Sequence, residues 1–151
     1  MITITPVTPE TRQAALRLEL HQNQTSFIEP VAQCLEEADS LALWRPVCLW
    51  QEGALNGFAM YGYFDQEQGG RLWFDRFLID KRYQHQGLGR QAALSVLTRM
   101  RKEYPIQDIY LSVYAPNHAA ISLYEHLGFR FNGERDTGGE QVMVLSRDTT
   151  L

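Results

Sequence analysis

The stretch from Arg71 to Glu103 most constrains what this chain can fold into. Arg71 to Asp80 carries Leu72, Trp73, Phe74, Phe77, Leu78 and Ile79 in a nearly continuous apolar run. Such a run suits a strand covered on both faces, and so one central in its sheet. Gln84-His85-Gln86-Gly87-Leu88-Gly89-Arg90 follows. Then Leu88, Ala92, Ala93, Val96, Leu97 and Met100 recur at steps of three and four, which gives a helix one apolar stripe. A buried strand, a glycine loop and an amphipathic helix in that order call for helices layered on a sheet.

The other elements arrange themselves around that unit. Ile2 to Thr5 alternates as a strand does, and Thr8 and Pro9 supply the cap and first turn of a helix running to about Leu20. A loop from His21 to Glu29 leads to a second helix over Pro30 to Ala38. Pro46 to Gln51 and Leu55 to Phe64 read as an antiparallel hairpin turning at Glu52-Gly53-Ala54, with a loop over Asp65 to Gly70 behind it. Asp108 to Tyr114 is a strand with Ile109, Leu111 and Val113 on one face. Asn117 caps a helix carrying Ala120, Leu123, Tyr124 and Leu127 that stops at Gly128. Phe129 to Arg135 and Glu140 to Leu145 close the chain as strands. No repeat or linker interrupts this order, so residues 1–151 read as a single domain. The expected fold is α/β: about four helices flanking one mixed sheet of about seven strands.

Charge and cysteine usage narrow the partners. With 18 acidic residues against 14 Lys and Arg, the net charge is −4, so the basic footprint that nucleic acid demands is missing. The acidic excess suits a cationic substrate, but ordinary solubility accounts for it more readily. Cys34 and Cys48 have neither CxxC spacing nor a neighbouring histidine cluster and read as small core residues. His21, His85, His118 and His126 show no metal-ligand spacing, so no metal is expected. No basic region precedes an apolar run at the start, and no 18 consecutive residues are apolar. Neither export nor a membrane is expected, and the protein reads as cytoplasmic.

Gly87 and Gly89 leave the backbone uncovered where a helix begins, and successive N–H groups there suit a pyrophosphate. Two glycines before a helix also make an ordinary tight turn, so context has to decide. A Walker loop requires GxxxxGK(S/T), and a dinucleotide fold requires GxGxxG after an early strand; here the loop follows four strands. With those residues in view, the chain resembles the GNAT superfamily of acyl-CoA N-acyltransferases, whose Q/R-x-x-G-x-G/A signature follows the fourth strand and opens the third helix. A second segment, Asn117 to Phe129, resembles that family's NxxAxxLYxxxGF pattern. The likeness narrows toward bacterial spermine/spermidine acetyltransferases through Phe27-Ile28-Glu29, Phe58 to Phe64, Asp75 to Asp80 and Leu111 to Tyr114.

The resemblance implies a central sheet that is mostly antiparallel and twisted, acetyl-CoA as co-substrate and a small-molecule amine as acceptor, with a polyamine such as spermidine or spermine first among them. It implies pyrophosphate binding by Gln84, His85, Gln86, Gly87, Leu88, Gly89 and Arg90, and pantetheine binding by Asn117 and the backbone of Phe77, Leu78 and Ile79. Tyr124 takes the general-acid role; without the motif it would read as an aromatic core residue. Asp75 stands near the position where the family places a glutamate, and acts as base, through a water, or simply as a cation-binding group; it reads equally as a strand carboxylate paired with a basic side chain elsewhere. Strand alternation puts it on the face opposite Arg76 unless a bulge intervenes. For a polycationic acceptor the candidates are Glu29, Glu36, Glu37, Asp65 and Asp75 with Trp73 and Tyr63, of which Glu29, Asp75 and Trp73 are the leading set. Acetylation of protein N-termini, antibiotics or amino acids, and non-catalytic acyl-CoA sensing, remain alternatives. Relatives are often homodimers.

Overall fold

A computed structural model describes residues 1–24, 28–66 and 69–151; Phe27, part of one segment behind the narrower resemblance, lies outside them. Seven strands form one sheet: β1 (Thr3–Pro6), β2 (Trp44–Gln51), β3 (Ala54–Phe64), β4 (Arg71–Ile79), β5 (Ile109–Val113), β6 (Arg130–Arg135) and β7 (Gln141–Leu145). Their spatial order is β1-β2-β3-β4-β5-β7-β6, so the apolar run does occupy the centre. Every pairing is antiparallel except β4 with β5. Four helices, α1 (Pro9–Leu16), α2 (Val31–Ser40), α3 (Leu88–Glu103) and α4 (His118–Leu127), flank the sheet. None of the described helices is long and apolar enough to cross a membrane.

Burial alternates along the strands because both faces are covered. Val47, Leu49, Ala59 and Tyr61 join α3 in one core, while Cys48, Phe58 and Met60 join Ala15, Cys34 and Leu35 of α1 and α2 in the other. On β4 this parity changes midway. Leu72 and Phe74 face α3, but so does Ile79, whereas Leu78 faces α1 and α2. A bulge is responsible: Met60 pairs with Arg76 and Tyr61 with Phe74, leaving Asp75 as the extra residue. Side chains beyond it are therefore turned onto opposite faces from those plain alternation assigns.

The parallel pair opens a cleft. β4 and β5 are in register only at Leu72↔Ile109 and Trp73↔Tyr110, and past those positions the strands part. The bulge that redirects β4 lies at the same level.

Two helix boundaries differ from the sequence expectation. α1 stops at Leu16 rather than near Leu20 because the next residues are bound to the end of β4. The Glu19 N–H donates to Asp80 Oδ2 at 2.9 Å, and the Lys81 N–H donates to the Glu19 carbonyl at 2.7 Å. α2 begins at Val31, with Pro30 as its N-cap, and extends to Ser40.

Candidate active site

The cleft encloses about 730 Å³ between β4, β5, the loop before α3, α4 and the β6–β7 connection. That volume lies in the range of small-molecule and cofactor sites.

One end of the cleft is built by backbone conformation. His85, at φ 64°, and Gly87, at φ 73°, both adopt the left-handed region before α3, an unusual posture for a non-glycine residue. α3 has no side-chain cap and no acidic residue in its first turn, whereas α1 is closed by a Thr8–Thr11 capping box and α4 by Asn117. Among the described residues, the first-turn N–H groups of α3 therefore lack side-chain acceptors at the positive end of its dipole. Among the described residues, a Cβ on Gly87 or Gly89 would meet nothing within 4 Å. This cradle fits a pyrophosphate. The Gln84 amide is used internally, donating to the Ile79 carbonyl at 2.9 Å and exchanging bonds of 3.0 Å with Gln24. Its side chain thus fastens the loop to β4, and one of the strand carbonyls expected to meet pantetheine is already engaged.

Phe77, Leu78, Ile79, Gln84, His85, Gly89, Asn117 and Tyr124 all line this one cleft. Gln86, Gly87, Leu88 and Arg90 do not line it. The Leu88 side chain is core, and only its backbone belongs to the cradle. Asn117 Oδ1 accepts from the Ala120 N–H at 3.3 Å, so capping engages its oxygen and leaves its NH2 group without a partner among the described residues. Tyr124 packs edge-on against Phe74 and Phe129, with ring centroids 6.1 and 5.7 Å away. Its hydroxyl makes no hydrogen bond among the described residues, and burial raises its pKa well above the ordinary phenol value. The phenol is thus a protonated donor in the wall of the cleft.

The other end of the cleft is acidic. Glu29, Glu37, Asp75, Asp136 and Glu140 line it against a single guanidinium, Arg76. The bulge places Asp75 and Arg76 in direct contact, the exception under which plain alternation no longer faces them apart. Arg76 also reaches Glu37 at 3.2 Å and lies 2.9 Å from Glu29, close enough for an ion pair though poorly angled for a hydrogen bond. Burial pushes the Asp75 carboxyl up to about 6; Arg76 pulls it down, while Glu37 and Glu29 push it further up. Glu140 is also raised, first by burial and then by Asp136, Glu29 and Asp75.

Several acceptor candidates lie elsewhere. Trp73 precedes the bulge and packs against Tyr110 at 5.5 Å between centroids, so the structure does not bring it to the cleft. Tyr63 stacks on Tyr104 at 5.6 Å. Neither Glu36 nor Asp65 lines the cleft. The sequence reading passed over Arg76, Asp136 and Glu140 as acceptor groups; only the sheet order brings the β6–β7 connection beside α2.

Residues 11–129 match the model of the acetyltransferase (GNAT) family. The chain belongs to the GNAT family. It is accordingly an N-acetyltransferase. This GNAT chain is 46% identical over 147 residues to a spermine/spermidine N(1)-acetyltransferase of Bacillus subtilis, spanning 95% of this chain and 97% of that one. Its fold superposes on aminoglycoside acetyltransferase AAC(6')-Ib in complex with coenzyme A with a TM-score of 0.81 at 16% identity, covering 97% and 95% of the two chains. It also matches a spermidine N-acetyltransferase of Vibrio cholerae in complex with CoA and spermine, at a TM-score of 0.71 and 17% identity over 95% and 92%. At such identities the two structures speak for the GNAT fold alone.

Proposed function

We propose that this enzyme transfers the acetyl group of acetyl-CoA directly to a primary amine of a polyamine, spermidine or spermine. The observation carrying this reading is the charge of the cleft: five carboxylates against one guanidinium, in a chain whose whole excess is only −4. A concave wall of one sign concentrates ligands of the other and favours several ammonium groups over one. The name of the B. subtilis relative supports the same substrate class.

Acetyl-CoA supplies an activated acetyl group as its thioester. In the proposed arrangement the first-turn N–H groups of α3 bind the pyrophosphate, and the Asn117 amide and the backbone of Phe77 to Ile79 hold the pantetheine arm. The amine arrives protonated, because a lysine-like pKa of about 10.4 leaves roughly 0.04% neutral at pH 7. Asp75 accepts its proton directly or through a water. Raised to about 6, it is a stronger base than an ordinary carboxylate and still ionised at pH 7, each unit being worth about 1.4 kcal/mol of driving force. Tyr124 donates its proton to the departing sulfur, and the second proton that the nitrogen loses as the amide forms restores the phenol.

The test is CoA release measured across spermidine, spermine, an aminoglycoside and a peptide N-terminus. Saturable turnover with the polyamines, at a kcat/KM at least tenfold above the others, is expected. Efficient peptide acetylation without polyamine turnover would refute the substrate assignment.

A further inference from the structure

Arg76 is the one Lys or Arg side chain lining the cleft among the described residues. Plain alternation would send it toward α3; the bulge at Asp75 sends it toward α2 instead. There its guanidinium meets carboxylates from three places: Asp75 beside it on β4, Glu29 just before α2, and Glu37 within α2. Its side chain is only 15% exposed, and a guanidinium presents a rigid fork of donors, so two carboxylate acceptors and a third ion-pair partner define its place closely.

We propose that Arg76 is a positioning residue of the acceptor site, holding the Asp75 carboxylate in the orientation and ionised form in which it takes the proton of the amine and joining β4 to α2 as one wall. This rests on the reading of Asp75 as proton acceptor. Fully ionised, Glu29, Glu37 and Asp75 carry three negative charges, and Arg76 cancels one at contact distance. Without it, Asp75 would face two carboxylates in a partly dry site with no counter-charge, and its protonated form would gain. The other titratable groups around this cluster are Cys34 of α2, whose thiol burial pushes up to about 11 and so keeps neutral, and Glu140 with Asp136 behind it. Neither carboxylate can take over from Arg76, since both add negative charge.

The experiment compares Arg76→Gln, Arg76→Lys and Glu37→Gln by the pH profile of kcat/KM and by carbon NMR titration of the Asp75 carboxyl in the ligand-free protein. Removing an opposite charge at this distance moves a carboxyl pKa by about 1–3 units. Arg76→Gln should therefore shift the Asp75 titration and the ascending limb of activity upward by about one unit or more, with the KM for acetyl-CoA unchanged. Arg76→Lys should recover most of that shift, and Glu37→Gln should move both readouts downward. An Asp75 titration unmoved in Arg76→Gln, or activity lost equally at every pH, would overturn the proposal. If Arg76→Gln fails to fold, the downward shift in Glu37→Gln decides, and its absence counts against the proposal. Should the wild type turn over no polyamine, the functional reading fails by itself, while the NMR titration still decides the role of Arg76.

Discussion

Gly89→Asp separates folding from anion binding at the start of α3. Gly89 is the second residue of the helix, its φ is unexceptional, and a Cβ there meets open space. Aspartate in a first turn interacts favourably with the helix dipole by about 0.3–1 kcal/mol and has somewhat better helix propensity than glycine, so stability should hold or rise slightly. Toward a pyrophosphate the same carboxylate is repulsive. At about 5 Å the cost is roughly 1 kcal/mol per phosphate charge in a water-like medium and about 3 kcal/mol at an effective dielectric constant of 20. CoA affinity should fall at least tenfold relative to Gly89→Asn, which matches the size of the new side chain without its charge. Isothermal titration with CoA measures the difference, and thermal unfolding checks the fold. The gap should narrow as salt rises from about 0.05 to 0.5 M. Equal CoA affinity in the Asp and Asn variants, both folded, would refute the assignment of this helix start as the pyrophosphate site.

Other perturbations address the remaining parts. Tyr124→Phe removes a hydroxyl with no partner among the described residues, so stability should change by less than about 0.5 kcal/mol. Turnover should fall by roughly 10²–10⁴-fold at unchanged CoA affinity if the phenol is the acid. Asp80→Asn removes a carboxylate, only 1% exposed, that accepts from the Glu19 N–H and from the backbone and side chain of Arg82. Burial works against its charge, but these bonds prevail and lower its pKa. The charge-dependent part of its contribution is therefore present above the ordinary pKa of 3.8 and lost as the pH falls through the lower folded value. Urea unfolding at neutral and acid pH should show the variant and wild type converging in acid. Gly57→Ala puts a Cβ 2.5 Å from the Leu78 carbonyl oxygen, so β3 and β4 must separate. The expected loss is about 1–3 kcal/mol, read by unfolding, with a raised KM for acetyl-CoA because Leu78 and Ile79 shift.

What could be read from the sequence follows from how local each signal is. α3 has the bounds its periodicity implies, Leu88–Glu103, because six apolar residues repeat within one element. The Asn117 cap and the Gly128 stop of α4 are equally local. The centrality of β4 was legible because a strand buried on both faces has no room for polar alternation. The bulge was not, since it is a mismatch between β3 and β4 and neither strand signals it alone. That one extra residue reversed the relation of Asp75 to Arg76 and built the ion cluster. Trp73 had the composition of an acceptor-site aromatic but sits on the wrong side of the bulge. Arg76, Glu37 and Glu140 meet across separations of tens of residues, which only sheet order determines. The end of α1 at Leu16 depended on Asp80, more than sixty residues away.

A crystal structure of the enzyme with CoA and spermidine together tests most directly whether one cleft serves both substrates. The pyrophosphate should lie within hydrogen-bond reach of the N–H groups at the start of α3, with the CoA sulfur near the Tyr124 hydroxyl and spermidine ammonium groups against Asp75 and the acidic wall of Glu29 and Glu140. Spermidine bound outside the cleft, or CoA bound away from the Gln84 to Arg90 loop, would contradict the account.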